Sequence, residues 1–211
     1  MYYDLHTHHF PEGNRDICSI VNVSAKDVWN DNTPCIFYSV GIHPWYIQQD
    51  NIKKELGLIE KYVLLPNVKA IGECGLDKLC KTDFELQKEV FSSHISISEK
   101  AGKPLIIHCV KSFDEMIFFK KESRSSQAWI IHGFRGKPQQ AKQLMEHGFY
   151  LSFGLNYNEQ TLQNIPVERI FFETDDSSCN IQIVYRNAAK TLNTPEKNLI
   201  RQIEENINSI F

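Results

Sequence analysis

The sequence predicts an α/β fold, a TIM-like (β/α)8 barrel that is distorted and has its first two outer helices shortened or missing. Three observations carry that expectation. Eight short apolar runs rich in Val, Ile, Phe or Tyr recur along the chain, each the length of a buried strand. Helix-period segments separate most of the later runs. Histidines and carboxylates stand near the ends of the runs, where barrel enzymes place their active-site face.

The runs are "YYDLHTH" (2–8), "ICSIVNVS" (17–24), "IFYSVGIHP" (36–44), "VKAIGECGLD" (68–77), "PLIIHC" (104–109), "AWIIHGF" (128–134), "FYLSFG" (149–154) and "RIFFETD" (169–175). The gap between the first two holds about eight residues and the next about eleven, too few for a helix with its turns. A barrel of this kind usually needs ~250 residues, and the shortfall of this 211-residue chain lies in those same gaps. Helical patterns follow at 52–66, at 82–104, at 112–122 and at 137–148, the last closing on Gly148. In the second of these Thr82 and Glu85 have the spacing of a capping box, and Gly102 with Pro104 forms a stop signal. The C-terminal segment pairs Thr194 as N-cap with Pro195 at the first helical position, and Leu199, Ile203, Ile207 and Ile210 form one apolar stripe for packing on a sheet. With no composition break or low-complexity linker, residues 1–211 read as a single barrel domain.

Composition excludes several function classes. Hydrophobic content of 42% and charged content of 23% are ordinary for a globular chain, and the net charge of −3 leaves no electrostatic footprint for duplex DNA. The densest basic cluster, Lys120, Lys121 and Arg124, is bracketed by Glu122 and reads as a solvated helix end. No basic head with an apolar run marks a secretory signal, and no stretch nears the ~18 apolar residues of a membrane span. The six cysteines show no CxxC spacing and read as reduced thiols, so a cytoplasmic location is expected.

The chemistry concentrates at the run ends. His6 and His8 close the first, Glu73 lies near the end of the fourth, His108 of the fifth and His132 of the sixth, and Asp175 closes the eighth. On a strand, residues two apart share a face, so both His6 and His8 enter the mouth, whereas His9 faces away and is no ligand. The same parity puts Asp4 on their face one step deeper. Four imidazoles and two carboxylates exceed the needs of one tetrahedral zinc ion. They suit two divalent ions (Zn2+, Mg2+ or Mn2+) with a carboxylate between them, an arrangement that makes a nucleophile of water and holds a phosphoryl or acyl centre.

In their order, "DLHTH", "GIHPW", "AIGECGLD", "KPLIIHC", "IIHGFRG", "GFYLSFG" and "FFETD" resemble the TatD family of metal-dependent hydrolases, among the amidohydrolase-type barrels. The resemblance runs to about Asp175 and implies roles. His6 and His8 would bind one metal, His108 and His132 the second, and Glu73 would bridge them. Asp175 would ligate the first ion and accept a proton from the attacking water. His43 would contact a substrate phosphate oxygen, with packing of the turn before Pro44 as its alternative. Asp77 would orient a ligand, and Glu173 would do the same or fill the barrel, with a surface role as the alternative if the strand twists.

The chain departs from the family pattern around the substrate. Val110 and then Lys111 stand where an arginine is usual; Lys111 still offers a point charge but no bidentate grip. Arg135 replaces a serine and restores a cation at the pocket edge, and "ETDDSSCN" replaces a more apolar, proline-bearing stretch. The expected activity is that of a binuclear phosphoesterase or deoxyribonuclease-type hydrolase acting on a small phosphoester or a nucleic-acid end, without tight duplex binding. The alternatives are an amidohydrolase or lactonase on the same scaffold, and a non-catalytic barrel used as an interaction module. Apolar strand faces left bare around residues 17–40 would favour a homo-oligomer.

Overall fold

A parallel strand is covered on both faces, which is why its sequence reads as a nearly continuous apolar run. All eight runs form such strands in the computed structural model, which describes residues 1–11, 16–25 and 33–211. They are β1 (Tyr2–Thr7), β2 (Ile17–Ser24), β3 (Ile36–Gly41), β4 (Val68–Asp77), β5 (Leu105–Val110), β6 (Trp129–Ile131), β7 (Phe149–Phe153) and β8 (Ile170–Phe172). Each pairs in parallel with the next in sequence. β1 and β8 then close the ring. Thr7 bridges Asp175, the Asp175 amide donates to the His6 carbonyl at 2.9 Å, and the His8 amide donates to the Asp175 carbonyl at 3.2 Å.

The helices are α1 (Ile52–Tyr62), α2 (Phe84–Ala101), α3 (Phe113–Ser123), α4 (Pro138–Glu146), α5 (Glu159–Gln163), α6 (Ile181–Thr191) and α7 (Glu196–Ile210). The two expected helix losses fall in connections whose residues 12–15 and 26–32 lie outside the described residues; the described residues of both connections carry no helix. Two caps differ from expectation by one residue. Asp83, not Thr82, caps α2, because its carboxylate accepts from the Leu86 amide at 3.0 Å. Pro195 stays extended at φ −59 and ψ 132 and caps α7 instead of starting it. The stripe of α7 buries Leu199 and Ile203, but it shares the interface with Asn206, whose amide donates to the carbonyls of Val167 and Ile170.

The bare apolar surface expected around 17–40 is not found among the described residues. Cys18, Ile20, Val21, Val23, Ala25, Tyr38 and Val40 are buried, and Ile17, Ile36 and Phe37 are partly buried. α1 packs on β3, and the Phe10 ring lies 6.4 Å from that of Tyr38, so these faces are covered within the chain. Among the described residues, then, this stretch leaves no bare apolar strand face of the kind expected to favour self-association.

Backbone crowding beside the mouth makes glycine obligatory in β4. A Cβ added to Gly75, which has φ +144, would stand 2.0 Å from the His108 carbonyl oxygen. Gly75→Ala is expected to lose at least about 3 kcal/mol of stability in chemical denaturation, at the upper end for overpacking because backbone, not a flexible side chain, must give way.

Candidate metal centre

Strand ends of β1, β4, β5 and β6 and the residues just beyond them gather around the carboxylate of Glu73, which is only 4% exposed. Its Oε1 lies 2.7 Å from His132 Nε2, 2.9 Å from His108 Nδ1 and 3.0 Å from His43 Nε2. Its Oε2 lies 3.3 Å from His6 Nε2 and 3.4 Å from His8 Nε2. Asp175 Oδ1 is 3.7 and 3.6 Å from the same two nitrogens. Each oxygen of Glu73 thus faces a separate group of histidines. Asp175, at φ 55 just past β8, is delivered there by the hydrogen bonds that close the barrel.

Burial alone would push the Glu73 carboxyl up. The charge of His132 and the hydrogen bonds of His108, His132 and His43 outweigh it and hold Glu73 far below the usual carboxylate range. His132 responds in kind: burial pulls it down, but Glu73 and Glu173 raise it well above the ordinary imidazole value. His8 is raised chiefly by its hydrogen bond to Glu73, while burial lowers His43.

A further set of contacts fixes ring orientation. Asp77 Oδ2 lies 3.2 Å from His108 Nε2 and accepts from Trp45 Nε1 at 2.6 Å, leaving His108 Nδ1 for the cluster. Gln87 on α2 grips the Asp77 backbone, donating to its carbonyl at 3.0 Å and accepting from its amide at 2.8 Å. Glu173 Oε1 accepts from the Gly133 amide at 2.6 Å and lies 3.3 Å from His132 Nδ1. The Trp45 amide donates to His43 Nδ1 at 3.1 Å. The neutral His43 ring therefore carries its proton on Nε2, a tautomer that donates toward the cluster and does not ligate.

The donor set fits divalent ions. Three overlapping groups have ligand atoms within 4.8 Å of one another: His6, Glu73 and His132; His6, His8 and Asp175; His132, Glu173 and Asp175; Glu73 and His108 lie equally close, with His43 beside them as a donor. His6 is fully buried, and neither ring nitrogen has a hydrogen-bond partner in the chain. A buried imidazole so placed would be satisfied by a metal ion, as the donor set around it allows.

Beside the cluster opens a cavity of about 470 Å3, with Asn22, Ser24, Trp45, Tyr46, Gln48 and Asp176 on its walls. Lys111 and Arg135 do not line it. Lys111, at φ 52, lines a separate depression with Asp114 and Gln140, and Arg135 is exposed to solvent. His9 stays out of the cluster, its Nε2 lying 3.1 Å from the Asp176 carbonyl. The expectation for Asp4 needs correction. Between Asp4 and Thr7, β1 takes three steps against two on β2, from Ser19 to Val21. This bulge reverses the parity. Asp4 instead joins Thr7 on the other side, accepting from the Thr174 amide at 2.9 Å and hydroxyl at 2.7 Å, and burial pushes its carboxyl up to about 7.

Sequence reasoning missed Trp45, Gln87 and His94. The last two lie seven residues apart on α2, polar side chains inside its buried face. That interruption of an apolar stripe was the available signal. His94 accepts from the Ile42 amide at 3.0 Å and donates to the Val90 carbonyl at 2.8 Å, anchoring the backbone next to His43.

The eight-stranded parallel ring and its mouth cluster define the class: a TIM-like barrel with a histidine–carboxylate centre of metal-binding type at the C-terminal ends of its strands. Within it the chain belongs to the TatD-related DNase family, whose model matches residues 18–211. An uncharacterised metal-dependent hydrolase of Buchnera aphidicola subsp. Baizongia pistaciae is 36% identical over 149 residues, covering 66% of this chain and 56% of that protein. A protein of Rahnella sp. named 3'-5' ssDNA/RNA exonuclease TatD is 26% identical over 170 residues, covering 73% of this chain and 62% of its own length. The chain thus spans little more than half the length of the first of these curated relatives. The crystal structure of a TatD homologue from Escherichia coli K12 superposes with a TM-score of 0.86 at 19% identity, over 100% of this chain and 97% of that one, which shows the shared fold.

Burial pushes the His94 imidazole down to about 4 from its ordinary 6.5, so the unfolded chain takes up this proton first as pH falls. His94 therefore lowers stability progressively from pH 6.5 to about pH 4, by about 3 kcal/mol across that window. Unfolding curves of wild type and His94→Gln over this range are expected to show the wild-type advantage shrinking by that amount.

Proposed function

We propose that this chain is a divalent-metal-dependent hydrolase of phosphoesters, taking a single-stranded nucleic-acid end or a small phosphoester as substrate. The observation that carries this reading is Glu73, buried between two groups of imidazoles with one oxygen toward each. Family membership supports it. His6, His8 and Asp175 would hold one ion and His108 and His132 the other, with Glu73 shared. When bound, such ions supply Lewis acidity, acidifying water and neutralising charge on ester oxygens.

The chain's own residues do the rest. Asp175, 31% exposed where Glu73 is 4%, is the cluster carboxylate open to the cavity and accepts the proton of the attacking water. His43 donates its Nε2 proton to a nonbridging oxygen of the ester. Asp77 and Glu173 hold the rings of His108 and His132 in place. Trp45 and Tyr46, 54% and 69% exposed at the rim, present flat aromatic surface to a base or aryl group. Among the described residues no Lys or Arg lines the cavity, which favours one phosphodiester over a long polyanion.

After loading with divalent metal, Asp175→Ala is expected to hydrolyse a bis-aryl phosphate ester at least about 100-fold more slowly, with unchanged circular dichroism. Glu73→Ala is expected to lose bound metal by elemental analysis as well as activity. Full activity in folded Asp175→Ala, or turnover of lactones and amides without phosphoesters, sinks the reading. On single-stranded oligonucleotides, Tyr46→Ala is expected to raise KM roughly 5- to 150-fold, the range for one lost base–aromatic stack, with kcat little changed.

A further inference from the structure

At the end of the barrel opposite the mouth, the start of β2 and the residues preceding β1 and β3 gather three sulfur atoms. The Cys18 thiol lies 3.0 Å from the Met1 thioether sulfur, and the Cys35 thiol lies 3.7 Å from the same sulfur. Strand register produces this meeting. Ser19 pairs with Ile36, so Cys18 and Cys35 stand side by side one step earlier, and the Ser19 amide donates to the Cys35 carbonyl at 2.9 Å. Tyr3 pairs with Cys18 across β1 and β2, which brings Met1 to the same edge. Both cysteines are free thiols; Cys18 is buried and Cys35 is half-buried.

This donor set differs in kind from the one at the mouth. Imidazoles and carboxylates suit borderline and hard ions, whereas thiolate with thioether selects soft ones, cuprous copper foremost. Metal–sulfur bonds of about 2.3 Å in a trigonal plane hold their sulfurs about 4 Å apart. The observed spacings of 3.0 and 3.7 Å need only a modest opening to match. Met1 is 47% exposed, so an ion reaches the group from solvent without passing through the barrel.

We propose that Cys18, Cys35 and Met1 form a soft-metal site that takes one Cu(I) ion in three-sulfur coordination. The ion replaces the two thiol protons, which leave to solvent, and no electron is transferred. Because protons leave as the ion binds, uptake strengthens as pH rises.

The test uses the full chain with its histidine cluster first saturated with zinc. Anaerobic titration with Cu(I) against bathocuproine disulfonate is expected to show one equivalent withdrawn from the chelator. Affinity is expected to fall at least about tenfold in Cys35→Ser and in Cys18→Ser, as loss of one of three sulfur ligands requires. The zinc content of the mouth should be the same in all three proteins. Cys35 is the less buried of the pair, so its serine variant keeps the test open if Cys18→Ser fails to fold. Copper-edge X-ray absorption is expected to fit sulfur ligands alone. No uptake by the wild type, equal uptake by folded Cys35→Ser, or a nitrogen-bearing copper shell overturns the proposal.

Discussion

A buried carboxylate must be paired, and the mouth of this barrel is arranged around that requirement. Glu73 sits at 4% exposure in low dielectric, where an unpaired anion is prohibitively costly. Five imidazoles within 3.4 Å of its oxygens meet the demand. They come from β1 and the turn after it, from the turn after β3, and from the ends of β5 and β6. No local segment supplies more than two of them, so the compensation exists only when the ring of strands is closed. The same crowding of positive character about one anion is what a pair of divalent ions would provide, which is why the cluster reads as a metal centre and not as a structural ion-pair network.

The rings need more than proximity. An imidazole offers one lone pair when neutral, and the atom that carries the proton decides whether the ring ligates or donates. Asp77 and Glu173 each take one nitrogen of a histidine and leave the other for the cluster. The Trp45 amide does the reverse to His43, fixing the proton on the nitrogen that faces Glu73. Behind these stand Gln87 and His94, two buried polar groups on α2 that hold the backbone of Asp77 and of Ile42. α2 is thus both a covering helix and a scaffold for the mouth. It costs the helix part of its apolar face and gains a fixed geometry for two loops.

The two ends of the barrel are chemically opposed. Nitrogen and oxygen donors converge at the C-terminal ends of the strands, and sulfur donors meet at the start of the first three. Both follow from parallel register, which brings residues of equal depth on neighbouring strands side by side. One end is lined by residues that follow the strands and can vary in length. The other is set by residues at or just before strand starts, where Ser19, Ile36 and their neighbours leave little freedom.

The strands were legible from the sequence, because each run is apolar enough to be buried on both faces and short enough to exclude a helix. The six histidine and carboxylate candidates were legible too, since residue type and position at the end of a run are local facts. Helix bodies were visible, but the caps of α2 and α7 each slipped by one residue, because the Asp83 carboxylate takes the Leu86 amide and Pro195 stays extended. Parity failed at Asp4, because a bulge in β1 is a property of its pairing with β2 and leaves no mark in β1 itself. Lys111 and Arg135 looked like substrate contacts by their place in the motifs, yet left-handed backbone at the one and solvent exposure at the other keep both off the cavity wall. The sequence by itself therefore determined which side chains are the candidates for the chemistry. Only the tertiary structure decided which oxygen of Glu73 each histidine meets, which ring nitrogen is left for a metal, and which polar residues on α2 support them, because those depend on distances across a closed ring that no single segment contains.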